Sequence, residues 1–394
     1  MRSSRRYDMM TVTRTAIVVS VLAMLVCCIP EPELHLYDNG NIDVNLPMID
    51  INLDTYWDYD LETTYETKKN WRDEWYYGWD EEDQRLFGNI GYTAPEVFLL
   101  RRYYTGSTPF VPHTSVLSAT VKGHSYRARY NWGYWDILVW NDVITPDGVQ
   151  SLIFDEQTSF DYVTAYTNQS MTLSRYQAPR YTRSFYQPEE LFSAYAQGIE
   201  INQDLTGFEY DPVNDVYVKH IDMTLEPLTY IYLTQVIIHH NNRRVVGVDG
   251  SGNLSGFGRT TVLNTGITGE DVVTVHYYNR LKYNCEKDSE LVDIIGGRLL
   301  TFGICGQNGN RIKHRDEVTD EIPHYLDVTM QFNNGLDSTF VFDVSEQVRR
   351  RWKGGVITVE LDMDTVRIPT RTGGSAFDAV VKDFEDGGTH EIDL

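Results

Sequence analysis

The sequence predicts an all-β fold with few short helices, divided between two domains that follow an export signal. Three observations carry this. The chain has 394 residues, and removing a signal of 27 leaves 367, enough for two domains at roughly 150 residues each. From residue 216 onward, runs rich in Val, Ile, Tyr and Phe recur between clusters of Gly, Asn and Asp, the pattern of several short strands in a β-sandwich. No segment repeats at a spacing of about 20–50 residues, which argues against a solenoid.

The first element is the signal. Arg2, Arg5, Arg6 and Arg14 precede the apolar run Ala16–Val26, in which only Ser20 is polar. The run is too short to span a bilayer, which takes about 20 residues. A positive start, a short apolar core and a small-residue exit describe an export signal. The exit, Leu25-Val26-Cys27-Cys28, resembles a bacterial lipobox with Cys28 as the acylated residue. Cys27 stands where Gly, Ala or Ser is usual and is the weaker alternative. Each buried methylene of an acyl chain contributes about 0.8 kcal/mol, so several chains on Cys28 hold a protein stably to a membrane.

Residues 28–41 form an acidic, Pro-containing tether. A first domain is expected over 42–215 and a second over 216–394, with the boundary in the loop-like stretch between about 205 and 222. Ile42–Leu46 and Met48–Asp54 alternate apolar and polar, as a half-buried strand does. Further strands are expected at Glu96–Tyr104 and Gly133–Asn141. A short helix is expected at Pro188–Gln197, with Pro and acids in its first turn and Gly198 past its end. Strands follow at Val216–Leu225, Tyr230–Ile238, Val245–Val248, Asp271–Tyr278, Leu299–Ile304, Tyr325–Phe332, Ser338–Val344 and Val356–Met363. One helix, capped by Ser345, interrupts them, with Arg349, Arg350 and Arg351 at its negative end and Gly354 beyond.

Charge narrows the partners. The net charge is −23, and the signal itself carries +3, so the remainder stands near −26. Nucleic acid is not an expected partner, because phosphate neutralisation needs clustered Lys and Arg. An anionic membrane surface is disfavoured for the same reason. Cys285 and Cys305 are the two cysteines outside the signal exit. An oxidising compartment permits a bridge between them, although spacing alone does not establish one. No Cys-x-x-Cys, His-Glu-x-x-His, Gly-x-Ser-x-Gly or phosphate loop occurs, so no cofactor, metal or catalytic site is expected.

Asp249–Asn253 brushes against a calcium-loop pattern. It has Leu254 and Thr260 where the loop needs Gly and Glu, and a Gly-rich hairpin turn fits it better. His239 and His240 point to opposite faces of a strand end and do not ligate one metal together. Asp337-Ser338-Thr339 and Asp364-Thr365-Val366 match a short O-glycosylation triplet, but sit beside or within expected strands. Trp71, Trp75, Tyr76, Tyr77 and Trp79 form an aromatic, acid-rich block. Exposed, such rings stack on sugars and make a glycan-binding surface; buried, they are core and edge aromatics.

Several stretches together resemble a family of Bacteroidota lipoproteins similar to the fimbrillin and minor-fimbrium anchor superfamily. These are Gly247–Gly256, Asp293–Gly303, Met330–Val344, Val348–Arg351, Phe377–Gly388, the lipobox and Tyr134–Asn141. The resemblance implies two tandem transthyretin-like β-sandwich domains on a lipid anchor at the cell-surface side of the outer membrane. It implies strand exchange with pilin-like subunits, in which an added strand satisfies an open sheet edge. It also implies that stalk pilins lose their first strand to an arginine-specific protease. Between Cys28 and Arg72 this chain has no arginine. The first strand, at about 42–54, is therefore expected to stay, as in an anchor or terminal subunit.

Overall fold

The computed structural model describes residues 47–55, 61–63, 68–107, 115–143, 151–155, 159–168, 184–306, 319, 321–370 and 379–381. The signal 1–27, Cys28, the tether and strand residues 42–46 lie outside the described residues.

The first half runs β1 (Met48–Thr55), β2 (Leu61–Thr63), β3 (Lys68–Asn70), a 3-10 turn at Trp71–Glu74 and α1 (Glu81–Phe87). It continues through β4 (Val97–Gly106), β5 (Ser115–Lys122), β6 (Ser125–Arg129), β7 (Gly133–Asn141) and β8 (Leu152–Asp155). A second 3-10 turn at Phe160–Tyr162 precedes β9 (Thr164–Thr167), β10 (Ser184–Tyr186), β11 (Phe192–Ile201), β12 (Glu209–Asp211) and β13 (Val216–Pro227).

The first large sheet has the order β5-β4-β7-β11-β13-β1-β6, with β12 beside β13. Its two end strands, β5 and β6, are consecutive in the chain and joined through Gly123 and His124. The sheet therefore curls back on itself into two layers. Between them lie Ile49, Ile51, Leu53, Phe98, Leu100, Trp135, Ile137, Val139, Phe192 and Leu225. The alternation in Met48–Asp54 was legible because β1 buries one face only, with Ile49, Ile51 and Leu53 inside.

The second half holds β14 (Tyr230–His239), β15 (Val245–Gly258), β16 (Thr260–Val262), β17 (Val272–Lys287) and β18 (Glu290–Thr301). After these come β19 (Tyr325–Phe332), β20 (Asp337–Asp343), α2 (Ser345–Arg350), β21 (Gly355–Asp362) and β22 (Ala379–Val381). The sheet order is β21-β14-β18-β17-β15-β19-β20-β22, with β10 on β17. The long strand β17 passes between layers: Val272–Tyr278 pairs with β15, and Asn279–Lys287 with β18. It closes onto β18 through Asp288 and Ser289, both at positive φ, the backbone of a tight two-residue hairpin. Tyr232, Val236, Leu254, Phe257, Val275, Leu299, Leu326, Phe342 and Ile357 fill the interior.

A third sheet, β16-β9-β8, welds the halves, since β8 and β9 come from the first and β16 from the second. Tyr103, Leu138, Trp140, Phe160, Leu191, Leu263 and Phe302 pack together around it.

The structure corrects five expectations. The helix expected at Pro188–Gln197 is absent: Phe192 opens β11, whose Ser193–Ala196 pair with Trp140–Ile137 of β7. Burial of Phe192 and Ile201 along a strand outweighs local helix signals. Gly198, at φ +69°, sits at the bulge between Ala196 and Ile199 rather than past a helix end. Asp249–Asn253 is not a hairpin turn but the irregular middle of β15, where the register with β19 slips between Val248 and Gly252. Ser345 is the first residue of α2 and not its cap; its hydroxyl donates to Asp343 Oδ1 and accepts from His324 N–H. Val216–Pro227, assigned in the sequence to the second domain, is bonded within the first sheet to β1 and β11, so the change of sheet falls at about 228–229. Finally, Cys285 and Cys305 are both free thiols, Cys285 packing beside Tyr77 and Ile237 while Cys305 lies against the Gly256 carbonyl.

Candidate functional site: a retained first strand and a strap across the second sheet

Strand β1 is bonded along both edges. It runs parallel to β13 from Met48↔Val218 to Thr55↔Leu225, and antiparallel to β6 from Met48↔Arg129 to Asn52↔Ser125. Asn52 Nδ2 donates to Asp222 Oδ1 at 2.8 Å, and Arg127 reaches Asp50 at 2.8 Å and Asp211 at 3.1 Å. Removing β1 would strip two ladders and open the core above Ile49, Ile51 and Leu53, which are nearly inaccessible.

The chain leaving β1 crosses to the other sandwich before returning at β4. The aromatic block lies on this crossing, a strap spread over the outer face of the second sheet. Strand β14 reads Tyr-Ile-Tyr-Leu-Thr-Gln-Val-Ile-Ile without alternation because both faces are covered. Its inner face joins the sandwich core through Tyr232, Val236 and Ile238. On the outer face, Ile231 and Leu233 meet Trp75, Trp79, Ile90 and Tyr92, and Ile237 meets Tyr77.

Tyr77 is the keel of the strap. Its ring lies over Gly296, where any Cβ would overlap it. Its hydroxyl donates to Asp83 Oδ1 at 2.9 Å, and Lys282 Nζ stands 4.1 Å from its ring centre. Burial, reinforced by the Asp83 charge, pushes the phenol well above its ordinary range. Asp83 is fully buried and takes Arg280 at 2.9 Å together with Lys282. It also closes a capping box on α1, in which Asp80 Oδ1 accepts from Asp83 N–H and Asp83 Oδ2 accepts from Asp80 N–H. Burial works against the Asp80 charge, but the backbone N–H of Asp83, Arg280 and Lys282 outweigh it and hold that carboxyl well below the usual range.

Polar contacts fasten the rest. Gln235 donates to Glu74 O at 2.7 Å and accepts from Tyr76 N–H at 3.1 Å, as a strand edge would. Arg351 pairs with Glu74, Arg298 donates to Ile90 O, and Tyr92 donates to Thr229 O. These partners were invisible in sequence because they lie some 160 to 280 residues apart for Glu74, Tyr76 and their contacts. The Asp80-x-x-Asp83 box was the one local signal available.

The candidate glycan surface is therefore largely packing. Tyr77 is 2% exposed and closed to a sugar, while Trp75, Tyr76 and Trp79 are half-buried against the sheet. The side chain of Trp71 lies outside the described residues. His239 and His240 do take separate partners, Glu360 at 3.0 Å and Asp362 at 2.9 Å. Nδ1 of His240, Asp362 and Asp364 offer ligand atoms within 4.8 Å of one another. Arg244 already donates to Asp364 there, and the Asp362 hydrogen bond raises the His240 pKa. Thr339 of the first glycosylation triplet is buried, and Thr365 of the second is exposed.

No family model matches the sequence, and no curated protein matches it. Among solved structures, a candidate adhesin from Bacteroides ovatus is similar at 12% identity and TM-score 0.48, covering 86% of this chain and 98% of its own. A candidate adhesin from Bacteroides thetaiotaomicron is similar at 9% identity and TM-score 0.43, covering 81% and 93%. The fimbrial anchor protein Mfa2 from Porphyromonas gingivalis is similar at 11% identity and TM-score 0.40, covering 79% and 90%. This chain is thus similar to adhesin-like and fimbrial proteins of the Bacteroidota, a likeness of fold alone.

Proposed function

We propose that this chain is a non-enzymatic, lipid-anchored subunit of the outer membrane that anchors or terminates a fimbrium. The observation that carries the reading is β1. It is bonded on both edges, it buries Ile49, Ile51 and Leu53, and no arginine lies between Cys28 and Arg72. Between Cys28 and this strand an arginine-specific cut has no site. An acyl chain on Cys28 would stay covalently joined, through residues 29–47, to a strand bonded between β13 and β6 in the first sheet. Such a subunit can be pulled upon without losing its membrane attachment. A stalk subunit needs the opposite, a first strand that leaves so that a neighbour's strand can replace it.

Cys28→Ala tests the anchor in the native host. The variant is expected as soluble protein or uncleaved precursor, and its recovery with outer membranes at the wild-type level would end the proposal. Crosslinking the lipidated wild-type protein in outer membranes tests the partner. Two-sandwich pilin-like subunits are expected in the adducts, whereas a porin-like importer with sugar-binding lipoproteins would point away from fimbriae.

A further inference from the structure

We infer that the outer face of the corner between β11 and β13 is a binding groove for a neutral oligosaccharide, distant in sequence from the aromatic block. The two strands pair only at Phe192↔Pro227 and Ser193↔Glu226. They then part, β11 following β7 and β13 following β1. The turn at 263–266 overhangs the gap and is tied to it by Ser193 Oγ, which donates to Leu263 O at 2.7 Å. A groove of about 330 Å³ results, within the range of small-ligand sites and spacious enough for two sugar rings.

Register places the side chains. Ser193 and Glu226 are directly opposite, and strand side chains alternate. Tyr195, Glu226, Thr224 and Asp222 therefore share one face along the groove. Tyr195 is 43% exposed, yet its ring is held edge-on to buried Phe160 at 6.0 Å. That is a fixed platform for the C–H face of a sugar. Asp222 and Glu226 lie four positions apart on one strand, about 13 Å, with Thr224 between. One cation cannot reach both, whereas a row of hydroxyls can donate to each. Asn264, in the overhanging wall, is 6% exposed, and its amide nitrogen donates to Asp161. Its carbonyl oxygen is buried without a hydrogen-bond partner and closed to the groove, so the ligand's hydroxyls are left to Glu226, Thr224 and Asp222. Among the described residues lining the groove there is no Lys or Arg, so an acidic or sulfated glycan has nothing to pair with.

This inference is independent of the lipid anchor, because Cys28→Ala leaves the groove residues untouched. The test is the full chain on a printed array of neutral and acidic oligosaccharides, with a hexa-arginine peptide as counter-probe, followed by calorimetry with the strongest neutral hit. Wild type is expected to retain a neutral oligosaccharide. Tyr195→Ala should weaken it roughly tenfold or more, the effect of truncating an aromatic anchor. Tyr195→Phe should keep most of the affinity, since the ring face and not the hydroxyl does the stacking. Glu226→Gln should weaken binding with an unchanged melting temperature. Failure of every neutral glycan to bind, binding indifferent to Tyr195→Ala, or retention of only acidic glycans or the arginine peptide would each overturn the proposal.

Discussion

At the scale of single residues, buried charge dominates. Asp83 has no exposed surface and serves the Tyr77 hydroxyl, Arg280 and Lys282 at once. Removing Asp83 leaves the buried Tyr77 hydroxyl without its acceptor and Arg280 and Lys282 with only the more exposed Asp80 and Glu82, a loss of about 3 kcal/mol. Asp83→Ala is therefore expected to lower the stability of the folded chain by about that amount in urea unfolding; a change within about 0.5 kcal/mol would mean that the strap is not held there. Asp327 is the second case. It is buried beside Asn253, whose Nδ2 donates to it at 2.9 Å, and burial pushes its carboxyl up to about 8. Here the folded state keeps a proton that the unfolded chain releases near pH 4. Stability supplied by this group is thus present at low pH and lost as pH rises from about 4 to 8, by up to 1.4 kcal/mol per pH unit. Asp327→Asn should flatten that slope in melting curves taken across the window, while an unchanged slope would show that Asp327 ionises inside the fold.

At the scale of elements, β1 and the strap were read unequally from sequence. The period-two pattern of Met48–Asp54 identified a half-buried strand, because Ile49, Ile51 and Leu53 all face one core. Nothing local indicated that it would lie parallel to β13, over 160 residues away. Truncating a fully buried aliphatic leaves a cavity and costs about 2–5 kcal/mol. Ile51→Ala should cost an amount in that range in equilibrium unfolding, and the loss should be accompanied by protease access to β6, its direct neighbour. A cost below about 1 kcal/mol would show that the first sheet does not depend on β1. The expected helix at Pro188–Gln197 failed for a contrasting reason. Pro188, Glu189, Glu190 and Gly198 are sound helix punctuation, yet Glu189 accepts from Ser151 and Leu152 N–H, and Glu190 pairs with Arg298. Those carboxylates act on other elements, and Gly198 N–H donates to Asp136 within a bulge.

At the scale of the whole molecule, the two sandwiches are fastened together by the strap and by the β16-β9-β8 sheet. The outer face of β14 and β18 bears Ile231, Leu233, Ile237, Ile294 and Leu300, all buried under or beside strap residues. A second half beginning at Thr229 would expose that face to water. Such a truncated chain is expected to aggregate or to bind a hydrophobic dye, and addition of a peptide spanning 71–92 is expected to reverse this. A monomeric, dye-silent fragment would show that the strap is dispensable.

Local pattern determined the all-β class, the places of most strands and the acidity, because each depends on composition or on residues adjacent in the chain. Tertiary structure alone decided which sheet Val216–Pro227 joins, that Cys285 and Cys305 stay apart, and that Tyr77 is a keel and not a sugar platform. Trp75, Tyr77 and Trp79 look the same in sequence whether a glycan or Ile231, Leu233 and Gly296 will cover them. The difference is made by contacts between segments some 150 to 220 residues apart, which burial rewards and no local period encodes.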